Sequence, residues 1–483
     1  MIRLVLRRED ANAIEAALRS SGRTEHGCFC LLRAGYGTTD VRLVALEPMM
    51  PPADAWDDQG ADRLRPSARW ISACVGRAVQ ERAGLLFVHS HPDVGHPVGL
   101  SATDRSATLS LAATIGSILE GPFAAVAVHA EGWAGALAVD GGLEPIARID
   151  AIGRTLLSLS PEPDAVPDPI GIDARQADAL GRAHGQLRQL SVAVIGAGGL
   201  GSPVAEQLVR MGVRQVIIVD RDRLDTPSNV RRVFGSTLAD LHATAPPPKV
   251  DVVGRHLDTL MLGSRITRVD GDVRDASTLP DLLDADVIIC GTDTHGSRAA
   301  VNDVAAEFFL PLIDVGVRAA GKASGELAAL VAEVRIVTPA TPCLWCRNAI
   351  SGDVIRAENL PADQHRKLAA EGYLPGAMGA PASSVVALTV LGAGLATCAL
   401  LALLSAEAEV APAGYLVDGF LGDSLELGPT EPLAGCRCRQ RAGRAGIDLR
   451  ETAVERGMEA PEPDVGLSLD EGAGPQNKRR LTP

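Results

Sequence analysis

A chain of 483 residues with an apolar fraction of 46% is longer than one ordinary domain, so two or three domains are expected. The formal net charge of −14 argues against a nucleic acid as the general partner, because phosphate binding needs a concentrated excess of Lys and Arg. A protein or small-molecule partner is favoured instead.

The first part of the chain predicts an α+β domain over residues 1–150. Apolar runs bounded by turn residues predict strands at 4–6, 28–33, 41–46, 85–88, 123–128 and 133–139. Helical spacing of apolar residues predicts helices at 10–18, 67–79 and 102–119. Residues 1–12 carry Arg and acidic side chains without a long apolar run, so no signal peptide is expected and the protein is predicted to be cytoplasmic.

This part of the chain also holds the residue types of a hydrolytic zinc centre. His89 and His91 alternate at a strand end, which directs both imidazoles to one face. Ser101 is a predicted helix N-cap, and Asp104 follows at a spacing that brings it near the same point. Two His, one Asp and a water complete an open catalytic Zn²⁺ site. Glu25 would act as general base on the zinc-bound water, and Ser101 would donate to the developing oxyanion.

These residues resemble the motif of the JAMM/MPN metalloproteases, and the resemblance covers about residues 1–145. It implies cleavage after the C-terminus of a ubiquitin-like protein. The interval between the His pair and Ser101 is slightly longer than the usual spacing in that family, and His96 within it is expected to be an exposed loop residue. The alternative is an inactive domain that keeps the fold and only binds the ubiquitin-like protein, which is called the modifier below.

Residues 151–173 are predicted to be a linker, because their content of proline and acidic side chains resists both helix and sheet. From residue 174 to residue 443, apolar strands at 192–195, 216–219 and 287–290 alternate with helical stretches, a pattern typical of a parallel sheet with crossover helices. Residues 444–483 are rich in Gly, Pro and charge and are predicted to be disordered.

A glycine-rich turn follows the first strand of this second domain. Gly196, Gly198, Gly199 and Gly201 allow a tight turn and bring backbone N–H groups at a helix N-terminus toward phosphate. Asp220 closes the next strand at a distance suited to a ribose hydroxyl. An NAD-dependent dehydrogenase would need little more than these residues.

Four further residues favour activation of a carboxylate by ATP over hydride transfer: Asn229, Arg232, Lys249 and Asp293. An attacking carboxylate is already ionised at neutral pH, so catalysis consists of positioning it and neutralising the departing pyrophosphate. Arg232 and Lys249 supply the cations, and Asp293 would hold Mg²⁺.

Together these motifs resemble the ThiF/MoeB/HesA family of ubiquitin-activating-like adenylyltransferases, over roughly residues 175–438. The fold class expected is therefore α/β, with an N-terminal α+β JAMM/MPN domain followed by a Rossmann-like ThiF/MoeB domain with a mainly parallel sheet. The resemblance implies that Arg175 is delivered to the ATP of a partner subunit, and hence a homodimer. It also implies that the uncharged stretch 384–404 is a buried helix, although its length would span a membrane. No membrane partner is expected.

Four thiols near the C-terminal half suit a structural zinc, namely Cys343, Cys346, Cys436 and Cys438. Nine cysteines in all, an odd number, fit reduced thiols better than a disulfide framework. Residues 347–397 contain no cysteine that would form a thioester, and Cys290 and Cys398 are expected to be core residues.

The sequence therefore predicts a bifunctional enzyme that acts on a ubiquitin-like or ThiS-like protein with a C-terminal glycine. The first domain would trim or release this modifier, and the second would adenylate it with ATP and Mg²⁺. A sulfur donor, a conjugating enzyme or an amine would receive the activated tail. Sulfur-carrier activation for a metabolite pathway is the alternative within the enzyme class.

Overall fold

The computed structural model describes residues 1–19, 24–91, 98–161, 171–321, 324–371, 384–405, 413–419, 422–428 and 431–445. His96 and the proline-rich part of the expected linker lie outside the described residues, and so does the tail beyond residue 445.

The N-terminal part of the chain forms one large sheet and a two-stranded hairpin, with three helices. Its elements are β1 (Ile2–Arg7), α1 (Arg8–Arg19), β2 (Gly27–Tyr36), β3 (Val41–Met49), β4 (Trp56–Gln59), β5 (Leu64–Pro66), α2 (Ala68–Gln80), β6 (Gly84–Ser90), α3 (Ala102–Ile115), β7 (Phe123–His129), β8 (Gly132–Val139), β9 (Gly142–Ile152) and β10 (Leu156–Ser158).

The strands of this sheet close on themselves. Their order is β1-β3-β2-β6-β7-β8-β9-β10, and β1 also pairs with β9 in parallel, so seven strands form a ring with β10 attached to β9. The small β4–β5 hairpin lies outside this ring.

Helix α2 begins after Ser67, whose side chain accepts a hydrogen bond from Trp70 N. The helix buries Trp70, Cys74 and Ala78 at helical spacing against the sheet.

The second part of the chain has a longer sheet flanked by helices. Its elements are α4 (Ala174–Leu180), α5 (Arg182–Leu187), β11 (Ser191–Ile195), α6 (Gly201–Arg210), β12 (Gln215–Asp220), α7 (Leu238–Leu241), α8 (Lys249–Leu260), β13 (Arg265–Asp270), α9 (Leu279–Leu283), β14 (Val287–Cys290), α10 (His295–Phe308), β15 (Leu312–Gly321), β16 (Leu327–Val337), α11 (Gly352–Glu358), α12 (Ala362–Ala370), α13 (Val386–Leu403), β17 (Gly414–Asp418), β18 (Ser424–Glu426) and α14 (Arg437–Arg441), with short 3₁₀ turns at Pro227–Arg231 and Ala276–Thr278.

The strand order of this sheet is β13-β12-β11-β14-β15-β16-β17-β18. The strands from β13 to β15 pair in parallel, whereas β15 to β18 pair in antiparallel fashion. The chain reverses its direction of winding between β11 and β14, and in open α/β sheets this switch point is where ligands bind. The expected mainly parallel sheet is thus a mixed sheet, with a parallel half that carries the glycine-rich turn.

The sequence patterns miss several strands. The short or half-exposed strands β4, β5, β10, β13 and β18 lack a strong apolar alternation. The prediction also lacks β9, β15, β16 and β17. Strand β9 runs through to Ile152 and β10 to Ser158, so the first sheet extends past residue 150 into the segment predicted to be a linker. Helix α3 ends at Ile115, a turn earlier than predicted, and Gly116 is its C-cap residue.

A buried carboxylate connects the two parts of the chain. The side chain of Asp284, in the turn before β14, accepts hydrogen bonds from the backbone N–H groups of Thr39 and Asp40 at 3.0 Å each and from Thr39 Oγ1 at 2.9 Å. Thr38 Oγ1 donates to Asp281 Oδ1 at 3.0 Å. The loop between β2 and β3 is thereby fixed to the turn that starts β14, because a buried carboxylate is costly unless its oxygens are paired.

An ion cluster beside this contact is also buried. Arg148 Nη2 lies 2.7 Å and Arg3 Nη1 lies 3.1 Å from Asp286 Oδ1, and Ser191 N donates to Asp286 Oδ2 at 2.8 Å. Burial alone would raise the pKa of Asp286, but the charges of Arg148 and Arg3 outweigh burial and hold that pKa below its usual range. Arg3 of β1 and Arg148 of β9 therefore form ion pairs with a carboxylate immediately before β14.

The last described segment packs across the same junction. Gly443 N donates to Ala306 O at 3.0 Å, and Gly443 has a φ of +68°. A Cβ at this position would lie 2.3 Å from Leu46 Cδ2 and 2.8 Å from Phe309 Cζ. Only glycine combines this backbone conformation with so close an approach.

Helix α13 is the uncharged helix expected from residues 384–404. It is long and apolar enough to cross a membrane by length and composition, and half of it is buried inside the protein. It packs against α6, β15 and β16 through small and apolar side chains such as Ala393, Ala396 and Leu400. Cys398, expected to be a core residue, is exposed on its outer face. The helical spacing that buries Ala396 and Leu400 turns Cys398 outward.

The junction predicts a large penalty for losing one charge. An Asp286→Ala substitution leaves Arg3 and Arg148 with one partner fewer in a buried site, and we expect it to lower the free energy of unfolding by about 3–5 kcal/mol. Asp353→Ala, which removes an exposed partner of Arg356, is the matched control and should leave stability unchanged. Urea unfolding measures both; equal midpoints for the two variants would contradict the proposed importance of the cluster.

Candidate functional site

The residues predicted to bind a nucleotide line one cavity of about 510 Å³ at the carboxyl ends of the parallel strands. The predicted residues in its lining are Gly196, Gly198, Gly199, Asp220, Asn229, Arg232, Lys249 and Asp293. Gly201 does not appear among the lining residues, but a Cβ there would lie 1.7 Å from Gly196 O. Its role is to allow the tight turn, and that turn requires a φ of +96° at Gly196.

The floor of the cavity is organised by Asp220. Its Oδ2 accepts from Ala197 N at 2.6 Å, and its Oδ1 accepts from Asp222 N at 2.7 Å. Burial raises the pKa of Asp220, against the opposing charge of Lys249. Both oxygens keep further acceptor capacity, so the carboxylate can receive ribose hydroxyls from the cavity side.

Five cationic residues of the described chain line the cavity, and three of them, Lys249, Arg232 and Arg298, are held by polar partners beside the glycine-rich turn and the first turn of α10. Lys249 Nζ pairs with Asp222 Oδ2 at 2.7 Å, and the lysine side chain is 11% exposed. Arg232 Nη2 donates to Asn229 Oδ1 at 2.7 Å, while its buried Nε has no partner among the described residues. Such an orphaned donor beside a glycine-rich turn fits a phosphate oxygen.

Arg298 is the third cation, and sequence reasoning missed it. Its Nε lies 3.2 Å from Asp314 Oδ1, and the Asp314 carboxylate is fully buried. Burial would lower the pKa of Arg298, but Asp314 more than compensates and raises it. Its position in the first turn of α10, shortly after Asp293, is the signal that would have identified it. Asp222, the partner of Lys249, was likewise not singled out as a site residue.

Asp293 is exposed and lies between the end of β14 and the start of α10. Carboxylate oxygens are preferred Mg²⁺ ligands when phosphate supplies the remaining ones. Arg175, in contrast, is exposed on α4 and is not among the described residues that line the cavity of its own chain.

A second cluster lies at the end of β6. The ligand atoms of His89, His91 and Asp104 all fall within 4.8 Å of one another. His89 Nε2 and His91 Nε2 are 3.1 Å apart, and they lie 3.3 Å and 3.1 Å from the two oxygens of Asp104. Two imidazole nitrogens and a carboxylate that converge in this way fit three ligands of an open zinc site.

The electrostatics of this cluster keep Asp104 ionised. Burial alone would raise the pKa of Asp104, but hydrogen bonds with His89 and His91 hold it well below its usual range. The hydrogen bond with Asp104 raises the pKa of His91. A cation bound between these groups would be attracted by the carboxylate and would replace the shared protons.

Glu25 and Ser101 flank the cluster. Glu25 is buried, and its backbone is fixed on both sides by Glu25 N→Gly60 O at 2.7 Å and Gln59 Nε2→Glu25 O at 3.0 Å. Ser101 caps α3 as expected: its Oγ accepts from Asp104 N at 3.1 Å, and Asp104 Oδ2 accepts from Ser101 N at 2.8 Å. The capping box thus fixes Asp104 toward the two imidazoles.

A third cluster consists of Cys343, Cys346, Cys436 and Cys438, whose sulfurs lie within 4.8 Å of one another. The pairwise separations are 3.7 Å for Cys343–Cys346, 3.6 Å for Cys343–Cys436 and 3.9 Å for Cys346–Cys438. Four sulfurs about 2.3 Å from one zinc in tetrahedral geometry lie roughly 3.8 Å apart. The separations are too long for disulfides and match a closed metal site.

Residues 174–426 match the model of the ThiF family, more than half of the chain. The sulfur carrier protein ThiS adenylyltransferase of Bacillus subtilis is 30% identical over 161 residues, which are 33% of this chain and 44% of that protein. The sulfur carrier protein adenylyltransferase of Thermus thermophilus is 33% identical over 128 residues, 26% of this chain and 45% of that protein. Ubiquitin-like modifier-activating enzyme 5 of Arabidopsis thaliana is 26% identical over 306 residues, 59% of this chain and 64% of that protein. The chain spans less than two thirds of the length of each of these relatives.

The two clusters predict a metal content that can be measured directly. We expect about two zincs per chain in the purified protein, one for each set of converging ligands. His91→Ala should remove one and Cys436→Ser the other, and the second loss should also lower thermal stability because a closed structural site contributes folding energy. Inductively coupled plasma mass spectrometry checks the counts, and Cys398→Ser, at an exposed cysteine outside both clusters, is the control. Wild-type protein without zinc would contradict both assignments.

Proposed function

Because this chain belongs to the ThiF family, we propose that it uses ATP and Mg²⁺ to adenylate the C-terminal glycine carboxylate of a ubiquitin-like or ThiS-like protein. The observation that carries this is the gathering of Asp220, Arg232, Lys249 and Asp293 around one glycine-rich turn. The names of the relatives, a ThiS adenylyltransferase and a ubiquitin-like modifier-activating enzyme, support the same substrate class.

Each residue has a role in the proposed reaction. The peptide carboxylate attacks the α-phosphorus of ATP, the bond to the β-phosphate oxygen breaks, and pyrophosphate leaves. Asp220 binds the ribose, Arg232 and Lys249 neutralise the phosphates, and Asp293 holds Mg²⁺. Asn229 orients the Arg232 guanidinium through the bond at 2.7 Å. Lys249 would exchange its bond to the half-exposed Asp222 for a phosphate oxygen.

The acyl-adenylate then passes to a sulfur donor, a conjugating enzyme or an amine. Residues 347–397 contain no cysteine, which argues against a thioester formed within that segment. Cys290 is buried, and burial raises its thiol pKa to about 11, so it is a poor nucleophile. The relatives named for sulfur carriers favour sulfur transfer. A thiocarboxylate on the modifier, seen by mass spectrometry, supports that outcome, whereas an adduct on lysine supports conjugation.

We further propose that the N-terminal domain is a zinc hydrolase of the JAMM/MPN type that trims or releases the same modifier. His89, His91 and Asp104 would hold the metal, which when bound supplies a water of lowered pKa. Glu25 would accept the proton of that water, and Ser101 would donate to the oxyanion. The convergence of the three ligand atoms supports this proposal. In the alternative, the domain only binds the modifier.

A homodimer is part of the proposal. Arg175 is exposed ahead of β11, where a second subunit could receive it. Helix α13 shows an uncharged outer stripe in which Val386, Val390 and Leu391 are each more than a third exposed. An apolar stripe of this kind, opposite the buried face of the helix, is suited to an interface between subunits.

Lys249 gives the sharpest test of the adenylation site. We expect Lys249→Met to reduce ATP–pyrophosphate exchange in the presence of a ubiquitin-like protein ending in Gly-Gly by about 10²–10³-fold, since one electrostatic donor to the phosphates is lost. Lys367→Met, at an exposed position on α12, is the matched control. Exchange that is unchanged in Lys249→Met would contradict the role assigned to Lys249. Absence of exchange in the wild-type protein, together with binding of a nicotinamide cofactor, would favour a dehydrogenase and contradict the proposal.

Glu25 tests the hydrolytic site separately. Glu25→Gln is expected to reduce cleavage of a Gly-Gly protein with a short C-terminal extension at least ~10²-fold, because the amide cannot accept the proton of the attacking water. Zinc content should not change, since Glu25 is not one of the converging ligands. The control is Glu144→Gln, an exposed position in β9. A Glu25→Gln protein that cleaves normally would rule out this base.

A further inference from the structure

Helix α10 begins two residues after Asp293, and its first turn is held by a carboxylate from a distant segment. Glu358, the last residue of α11, accepts hydrogen bonds from His295 N at 2.8 Å (Oε1) and from Gly296 N at 2.9 Å (Oε2). The N-cap Thr294 accepts a third bond, from Ser297 N at 3.3 Å. The first N–H groups of a helix have no partner within the helix. Glu358 therefore satisfies two backbone donors that have no partner within the helix.

A second contact fixes the same segment from its other end. Ser351 N donates to His295 Nδ1 at 3.0 Å, while Ile355 and Ala357 of α11 are buried. The hydrogen bond sets the tautomer of His295, with its proton on Nε2. Helix α11 is thus attached to the start of α10 at both of its ends, and it cannot shift without releasing the residues that follow Asp293.

The electrostatic setting favours a charged group in this place. A helix N-terminus carries a partial positive charge that stabilises an anion. The guanidinium of Arg274 lies close to the Glu358 carboxylate. A Cβ placed on Gly296 would lie 3.6 Å from Arg274 Nη1 and 3.3 Å from Glu358 Oε2. Arg274 is held in turn by Asp272, which lines the nucleotide cavity. The carboxylate of Glu358 is therefore bound by two backbone donors beside a cation.

The geometry assigns to Glu358 the role of a positioning residue for adenylation: it fixes the first turn of α10 and thereby holds Asp293 where Mg²⁺ is to be bound. This role rests on the proposed adenylation. Glu358 lies outside the cavity lining and acts through the backbone of His295 and Gly296. By occupying the N-terminus of α10, Glu358 also leaves the N-terminus of α6 as the helix end that receives the phosphates.

The inference predicts a change in the magnesium requirement. In Glu358→Gln the charge is lost and one of the two oxygens becomes a donor that faces a backbone N–H. We expect the kcat of ATP–pyrophosphate exchange to fall about 10- to 100-fold, as for other small displacements of a reacting group. The Mg²⁺ concentration for half-maximal exchange should rise several-fold, while the KM for ATP stays within about twofold because the ribose and phosphate contacts remain.

Two further variants separate positioning from stability. Asp353→Asn, on the exposed side of the same helix α11, is the control and should behave as wild type. Gly296→Ala adds a methyl group 3.3 Å from Glu358 Oε2 at a helical position where alanine is intrinsically favoured. It should fold stably yet show the same direction of change in kcat and Mg²⁺ requirement, and it carries the test if Glu358→Gln does not fold.

The outcomes distinguish this inference from the proposed function. Absence of exchange in the wild-type protein with ATP, Mg²⁺ and the Gly-Gly protein contradicts adenylation itself and the role of Glu358 with it. Wild-type exchange together with a Glu358→Gln protein that loses thermal stability but keeps its kcat and Mg²⁺ dependence overturns the positioning role alone. In that case Glu358 is only a helix cap.

Discussion

Strand β14 is the constraint on which both parts of the protein depend, because carboxylates at its two ends face different partners. Before the strand, Asp284 and Asp286 are buried against the N-terminal domain through the loop after β2 and through Arg3 and Arg148. After it, Asp293 reaches the nucleotide cavity. All four residues of the strand are buried in the sheet. The ion pairs of Asp286 hold the start of β14 against the N-terminal domain, because an unpaired buried carboxylate would be costly. The position of the N-terminal domain is therefore fixed relative to the cavity at the other end of β14.

The two candidate sites lie at the sheet ends that point away from this junction. His89 pairs with Gly27 at the beginning of β2. The loop that contacts Asp284 follows the other end of β2. An extended strand of some ten residues separates these two points by roughly 30 Å. In the second domain the glycine-rich turn and Asp293 follow the carboxyl ends of β11 and β14, opposite the buried ion cluster. The junction in the middle thus keeps the cluster of His89, His91 and Asp104 apart from the cavity at the glycine-rich turn.

Sequence reasoning found the site residues better than it found the sheet. Glycines, an ordered set of charges and closely spaced His and Cys residues are local signals, and the structure brings each predicted set together: the nucleotide residues in one cavity, the His89 cluster and the four cysteines. Their chemical roles stay predictions. Strands such as β13 and β18 carry too few apolar residues to be recognised. Contacts between distant segments, such as Glu358 with α10 or Arg298 with Asp314, leave no periodic pattern in the sequence, because each contact joins single polar residues of different helices or strands.

In the proposed reaction a peptide carboxylate attacks the α-phosphorus of ATP in this cavity. Isotope transfer tests it most directly: a Gly-Gly protein whose C-terminal carboxylate carries ¹⁸O is incubated with the enzyme, ATP and Mg²⁺, and the nucleotide product is analysed by mass spectrometry after the activated tail has been transferred or hydrolysed. We expect AMP that contains one ¹⁸O atom from the carboxylate. AMP without the label, or ADP as the nucleotide product, would contradict it.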